Sequence, residues 1–247
     1  MILRDLAPDS GREPPGSFRV QAPFLNGKGM NTVTKTFRSL TGAALSAALL
    51  VSAPAALTVS SAASAQAEGD LAKAVAALRG ISTMQANFTQ TDRNGQRIGG
   101  VMTLKRPGRI RFQYQKGVPL LIVSDGKALT LIDYEVRQVQ RWPISNSPLG
   151  ALLDPNRDVM KFGKLQPTAD PSVISVEVRD KGHPEYGVIT MVFQRKASAP
   201  GGLELASWVA LDSQNQRTTV RLSGHRYGIA VADSAFRYND PRGTGPR

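Results

Sequence analysis

The chain has 247 residues, a formal net charge of +12 at pH 7 and no cysteine. A chain of this length forms one large domain or two small ones. The absence of cysteine excludes disulfides, thiolate catalysis, cysteine metal sites and a lipid anchor on an N-terminal cysteine. The positive charge fits nucleic acid, anionic lipid headgroups, acidic proteins or a basic solvated surface without a dedicated partner.

Residues 30–65 have the order of a secretory signal peptide. Lys35 and Arg38 form the basic start, an apolar run follows, and small residues lead to possible cleavage sites after Ala65 or Ala67. The apolar run is too short to span a bilayer comfortably, so a cleaved signal is favoured over a permanent anchor. Export argues against nucleic acid as the partner of the positive charge.

The signal divides the chain into three predicted parts. Residues 1–29 are rich in proline, glycine and charge. They precede a complete signal, so we interpret them as an untranslated or disordered extension before a true start at Met30. Residues 30–65 are the signal peptide, and residues 66–247 are predicted to form a single domain.

One helix is predicted at the start of this domain. Asp70 is a suitable N-cap, Leu71 and Leu78 lie at helical spacing, and Gly80 is a suitable C-terminal residue. Alanines fill most of the other positions, which gives a slim helix that can lie close to a sheet. Met84 continues the apolar face into the next segment.

Strand patterns follow over most of the remaining sequence. The strongest hairpin signal is Asn94-Gly95, which separates two such segments. About ten to eleven strands at hairpin spacing predict a mainly β fold with a meandering antiparallel sheet, and a sheet of this length must curl. The predicted strands are 84–91, 96–105, 109–115, 120–124, 127–133, 136–142, 172–179, 188–195, 203–212 and 217–223, with a last one near 229–238.

The segment 143–164 interrupts the strand pattern. It holds Leu152 and Leu153 in a short helix start, followed by a second apolar cluster around Phe162. Because the concave face of a curled sheet needs a cover, the opening helix and the insertion 148–165 are the candidates. A curled sheet under a helical cover encloses either a solid core or a cavity, and both alternatives stay open.

The segment Lys105–Tyr114 is the most informative stretch of the sequence. Ile110, Phe112 and Tyr114 share one face of a predicted strand, with polar and charged residues between them. Arg106 precedes the Pro-Gly turn at the start of this strand. From position alone it is either an exposed cation at the strand end or a hydrogen-bond donor that reaches the backbone of the cover.

Patterns typical of enzymes and metal sites are missing. No G-x-S-x-G, H-E-x-x-H, phosphate loop or G-x-G-x-x-G after a strand occurs. His183 and His225 lie beside turn residues and are predicted to be surface histidines, while Trp142 and Trp208 are predicted core or rim residues. The sequence therefore predicts a binding protein without a catalytic site, metal or cofactor.

Five motifs in the same order resemble one known family. They are Phe88-Thr89-Gln90, the run from Gly100 to Arg106-Pro107-Gly108, Ile110-x-Phe112-x-Tyr114, the segment 121–127 (LIVSDGK) and Pro148-Leu149-x-x-Leu152-Leu153. Together they closely resemble LolA, the family of periplasmic carriers of outer-membrane lipoproteins in Gram-negative bacteria. The resemblance implies an incomplete, unclosed antiparallel β-barrel with a helical lid over an apolar cavity.

The resemblance also implies a function and partners. The cavity would hold lipoprotein acyl chains, a LolCDE-type ABC transporter of the inner membrane would load them, and a LolB-type outer-membrane acceptor would receive them. The carrier would be a monomer in the periplasm. A carrier of a free lipid, either an anionic phospholipid or a glycolipid, is the alternative.

Site residues follow from matching the motifs position by position. Arg106 matches the family arginine that bonds to the lid helices and holds the empty cavity closed. Ile110 and Phe112 stand where the family often has phenylalanine and tryptophan, so the resemblance implies a less aromatic wall. The expected acyl-contacting residues are Leu78, Met84, Phe88, Ile110, Phe112, Tyr114, Leu152 and Leu153.

Overall fold

The computed structural model describes residues 59–154 and 158–243. The predicted extension 1–29 and most of the predicted signal peptide lie outside these residues. Eleven strands and three α-helices occur in the described part, together with four short 3-10 turns. The helices are α1 (Val59–Gly80), α2 (Gly150–Leu153) and α3 (Val159–Phe162).

All eleven strands belong to one antiparallel sheet. They are β1 (Thr83–Thr91), β2 (Arg97–Lys105), β3 (Arg109–Tyr114), β4 (Leu120–Asp125), β5 (Ala128–Asp133), β6 (Gln138–Pro143), β7 (Gly163–Gln166), β8 (Val173–Arg179), β9 (Val188–Arg195), β10 (Leu203–Leu211) and β11 (Arg217–Tyr227). Their order is β6-β5-β4-β3-β2-β1-β11-β10-β9-β8-β7. Because β6 and β7 are the two edges and do not pair with each other, the barrel is unclosed. The predicted mainly β fold is thereby confirmed.

The cover comes from the chain between the two edge strands. The connection from β6 to β7 includes α2 and α3, so it must lead from one edge of the sheet to the other. Leu149, Leu152 and Leu153 from this connection are buried in the same apolar cluster as the inner side chains of the sheet. Helix α1 adds Val75 and Leu78 to this cluster and lies against β7, β8 and β10.

The start of the opening helix differs from the prediction. Helix α1 covers Val59–Gly80 of the described residues, so Asp70 lies inside the helix and is not its N-cap. The sequence before Asp70 is rich in alanine and serine, and alanine is the residue that best favours continuing a helix. The Asp70 carboxylate accepts hydrogen bonds from Lys73 at 3.3 Å and Arg195 at 3.0 Å instead.

The predicted last strand near 229–238 is wrong. β11 already pairs with β1 and with β10, so no strand edge is free beside it. The chain crosses the outer face of the sheet instead, where Lys105 donates a hydrogen bond of 2.8 Å to the carbonyl oxygen of Val231. Phe236 is buried there with Leu121 and Ile132 in a second, smaller apolar cluster.

The eleventh strand of the sheet is β7, which lies in a segment that was predicted to be part of the cover. Its four residues, Gly-Lys-Leu-Gln, carry almost no strand pattern of their own. The strand forms because β8 offers an edge on which four residue pairs can be made. In the described part of the chain, no helix is long and apolar enough to cross a membrane.

Candidate functional site

The inner face of β3 lies at the centre of the apolar cluster. Ile110, Phe112 and Tyr114 are all buried, as their alternation predicts, and they face the interior together with Phe88 of β1. The Phe88 ring meets Phe112 and Tyr114 edge to face, with ring centroids 5.2 and 5.3 Å apart. Trp208 continues this aromatic group at 6.2 Å from Phe112. Edge-to-face pairs of this kind add to the gain from burial alone.

Gly100 makes this arrangement possible. It pairs with Phe88 on one side and with Tyr114 on the other. A Cβ atom at Gly100 would overlap the carbonyl oxygen of Gln113 and lie 2.8 Å from Cε1 of Phe88. The missing side chain therefore leaves the space in which the Phe88 ring lies.

One polar pair is buried among these rings. The Tyr114 hydroxyl donates a hydrogen bond of 2.8 Å to Oε1 of Gln90, and both side chains are buried. Burial raises the pKa of the Tyr114 hydroxyl, so it stays a neutral donor at physiological pH. No sequence pattern indicates this pair, because the two residues lie 24 positions apart on different strands.

Replacing Tyr114 by phenylalanine is expected to lower the free energy of unfolding by about 1–3 kcal/mol, because it leaves a buried Gln90 oxygen without a donor. Urea unfolding of the purified protein measures the change. Combining it with Gln90→Leu should cost less than the sum of the two single changes, since both polar partners are then removed. Tyr134→Phe, at a more exposed tyrosine, is the matched control and should leave the stability unchanged.

Arg106 connects both parts of the helical cover. Its Nε donates a hydrogen bond of 3.0 Å to the carbonyl oxygen of Leu78 in α1, and its Nη2 donates one of 3.1 Å to that of Leu152 in α2. Both acceptors lie in the last turn of their helix, where carbonyl groups lack partners within the helix and a cation is favoured. One guanidinium group thus caps two helices through acceptor residues that are 74 positions apart in sequence.

Arg106 is partly buried by these contacts. Burial, together with the nearby positive charge of Arg79, lowers the pKa of its guanidinium group. Arginine nevertheless remains protonated in proteins, so the group acts as a permanent donor. Of the two alternatives left open by the sequence, the contact with the backbone of the cover is the one that the geometry matches. Its role as a latch remains a prediction.

The other predicted contact residues lie around this point. Leu78, Met84, Leu152 and Leu153 are buried, and all four belong to the apolar cluster that includes Phe88, Ile110 and Phe112. The structure therefore brings all eight predicted acyl-contacting residues into one cluster. Whether they contact acyl chains remains a prediction.

His225 is placed differently from the prediction of a surface histidine. Its side chain is only 3% exposed, and its Nε2 lies 2.9 Å from the carbonyl oxygen of Leu205. The register of β11 against β1 shifts between Gln85 and Asn87, and His225 lies in the irregular part. A bulge of this kind changes the side to which a side chain points, and the strand pattern does not reveal it. No group of three or more potential metal ligands occurs in residues 59–154 and 158–243.

The fold and this site define the class: mainly β proteins built as an unclosed barrel, with helices covering an apolar inner face. The family described as outer membrane lipoprotein carrier protein LolA matches residues 79–239. This match spans more than half of the chain. The chain belongs to the LolA family, which confirms the resemblance found in the sequence.

Relatives of this chain carry the name outer-membrane lipoprotein carrier protein. A protein of Xanthomonas campestris pv. campestris is 28% identical over 184 residues, which covers 67% of this chain and 81% of the relative. A protein of Chromobacterium violaceum is 29% identical over 199 residues, covering 76% and 92%. A solved structure of a LolA superfamily protein from Nitrosomonas europaea aligns with a TM-score of 0.40 at 11% identity, covering 70% of this chain and 97% of that chain.

Proposed function

We propose that this protein is a periplasmic carrier that binds the acyl chains of lipoproteins released from the inner membrane and delivers them to the outer membrane. The observation that carries the proposal is Arg106, which ties two helices over a large apolar face in a chain of the LolA family. A permanent core needs no such releasable connection. A carrier needs it, because its binding site must be closed when empty and open when loaded.

The size of the hydrophobic effect explains why an enclosed site is needed. An acyl chain of about fifteen methylene groups costs roughly 12 kcal/mol to keep in water, at ~0.8 kcal/mol for each group. The inner face of the sheet offers aromatic and aliphatic side chains that could replace this water. In the closed form, Leu149, Leu152 and Leu153 of the cover occupy part of that face. We infer that acyl chains take their place when the cover moves away.

The closed cover then competes with the cargo. Binding must break the contacts of Arg106 with Leu78 and Leu152, so the apparent affinity falls by the free energy of closing. A carrier benefits from this loss, because a site that binds acyl chains at full strength would not release them. We propose that Arg106 sets this balance.

The family suggests the partners, and the sequence suggests how the chain is processed. We propose that a LolCDE-type ABC transporter loads the carrier and that a LolB-type acceptor receives the cargo. We further propose that residues 30–65 are a signal peptide, that residues 1–29 are an untranslated or disordered extension, and that residues 66–247 are one monomeric carrier domain. The proposal includes no catalytic step and no cofactor.

Mass spectrometry of lipids extracted from the protein, purified from the periplasm after loading, tests this function. We expect triacylated peptides. An extract that contains only free phospholipid or glycolipid would favour the alternative cargo, and failure to take up any apolar fluorescent probe would contradict a carrier. Ile110→Gln on the buried inner face of β3 should weaken probe binding, whereas Met160→Gln, at an exposed position of α3, should not.

A further inference from the structure

The turn between β4 and β5 is in direct contact with the turn that follows Arg106. Ser124, at the end of β4, is fully buried. Its hydroxyl donates a hydrogen bond of 2.7 Å to the carbonyl oxygen of Gly108 and accepts one of 3.1 Å from the amide of Gly126. Residues 124–127 belong to the motif 121–127, which resembles the family sequence. We refer to these four residues as the bracket turn.

The backbone of the turn at Gly108 is in close contact with the backbone of the bracket turn, which fixes the distance between the two turns. Gly108 has a φ of +68°, and a Cβ atom there would lie 2.7 Å from the carbonyl oxygen of Gly126. Backbone therefore meets backbone at this point, with the Ser124 hydroxyl as the bridge. The Arg106 amide is held by a hydrogen bond of 2.8 Å to the carbonyl oxygen of Ser82, and the Gly108 turn, two residues further on, holds the other side of the Arg106 backbone.

The other side of the bracket turn holds the segment that carries the second acceptor. The amide of Ile144 donates a hydrogen bond of 3.0 Å to the carbonyl oxygen of Lys127. Ile144 begins the connection that leads to α2 and Leu152. The turn itself is stiff, because the Asp125 carboxylate accepts hydrogen bonds from the amides of Lys127 at 2.8 Å and Ala128 at 2.9 Å.

We propose that Ser124 is a positioning residue for Arg106. The bracket turn binds the turn that follows Arg106 through Gly108, and it binds the segment that leads to Leu152 through Ile144. It thereby sets the distance across which Arg106 reaches Leu152. Loss of the Ser124 hydroxyl frees the Gly108 turn and leaves the closed cover less populated, while all eight predicted acyl-contacting side chains are kept. This inference rests on the proposed function, in which closing of the cover drives release.

Release of a fluorescent triacylated lipopeptide from the full periplasmic protein tests the proposal in a double-mutant cycle. We expect Ser124→Ala to slow release about fivefold, in the direction expected for Arg106→Leu but to a smaller extent. The double variant should release no more slowly than Arg106→Leu alone, because a positioning residue has no effect once the positioned group is gone. A merely structural serine would lower the melting temperature of both backgrounds and change release in neither.

Two further variants keep the test decisive. Thr168→Val removes a hydroxyl that also contacts two backbone carbonyl oxygens, those of Asp170 and Val173, but far from Arg106 in the fold, and should release at the wild-type rate. Ser124→Cys retains a weak donor of similar size, so its release rate should lie between those of wild type and Ser124→Ala. This variant provides the test if the alanine variant folds poorly.

The outcomes separate the two proposals. Slow release by Arg106→Leu with wild-type release by Ser124→Ala overturns the role of Ser124 alone. So does a double variant in which the two effects multiply. Wild-type release by Arg106→Leu itself overturns the role of Arg106 in the proposed function, and the positioning role falls with it.

Discussion

Replacing Arg106 by leucine is expected to tighten the binding of acylated cargo roughly 100-fold and to slow its release correspondingly. The variant loses two hydrogen bonds from a charged donor, to the carbonyl oxygens of Leu78 and Leu152. Such bonds contribute about 1.5–3 kcal/mol each when fully formed, and partial contact with solvent reduces this. A net loss of about 3 kcal/mol from the closed form converts to that change in affinity.

Two arginine variants separate this effect from general damage. Arg106→Lys should lie between wild type and leucine, since an ammonium group cannot direct two donors in the fixed fork of a guanidinium. Arg111 offers a matched control, because its Nη1 also donates to two backbone carbonyl oxygens, Ala235 at 3.2 Å and Arg237 at 3.0 Å, but on the outer face. Arg111→Leu should leave release unchanged. Equal affinity and release for wild type and Arg106→Leu would contradict the role of Arg106.

The inner wall of the site was predictable from sequence because it follows local periodicity. Strand β3 alternates strictly, so Ile110, Phe112 and Tyr114 had to share a face, and burial on a sheet selects the apolar one. The hairpin of β1 and β2 was equally predictable from Asn94-Gly95. Both features depend on residues that are close in sequence, where steric and turn preferences act directly.

Features that depend on long-range competition were not predictable. The segment 229–238 has apolar residues that a strand could use, but the edge it would need is taken, and Phe236 binds the outer face instead. His225 is buried because a bulge shifts the register, and the partners of Gln90 and Arg106 lie on other elements. A single sequence lists donors and acceptors but does not say which of them meet.

Arg106 combines a position that was predictable from the local sequence with contacts that were not. Its place before the Pro-Gly turn followed from the sequence, whereas its acceptors did not, because they lie 28 and 46 residues away. The family resemblance supplied the expectation of a contact with the cover. The hydrogen bonds to Leu78 and Leu152 give that expectation a geometry, and the release measurements described above decide its role.

Gly100→Ala is expected to be the most destabilising small substitution in the inner wall, with a loss of about 3 kcal/mol or more. The added methyl group overlaps the carbonyl oxygen of Gln113 and presses on the Phe88 ring, and the carbonyl group cannot give way without moving a strand. Overpacking of a rigid core by one carbon costs about 1–3 kcal/mol, and contact with backbone leaves less room for relaxation. The melting temperature should fall by roughly 10 °C, measured by circular dichroism.

The adjacent residue offers a control with the same chemical change. A Cβ atom at Gly99 would lie 3.3 Å from the carbonyl oxygen of Phe88 and 3.4 Å from the Gln115 side chain, so small shifts accommodate it. Gly99→Ala should therefore cost less than about 1 kcal/mol, since the conformational entropy it removes from the unfolded chain offsets part of the strain. Similar melting temperatures for the two variants would contradict the packing of Phe88 over Gly100. A large difference would show that the inner wall tolerates no added volume at its aromatic centre, so that room for an acyl chain must come from movement of the cover.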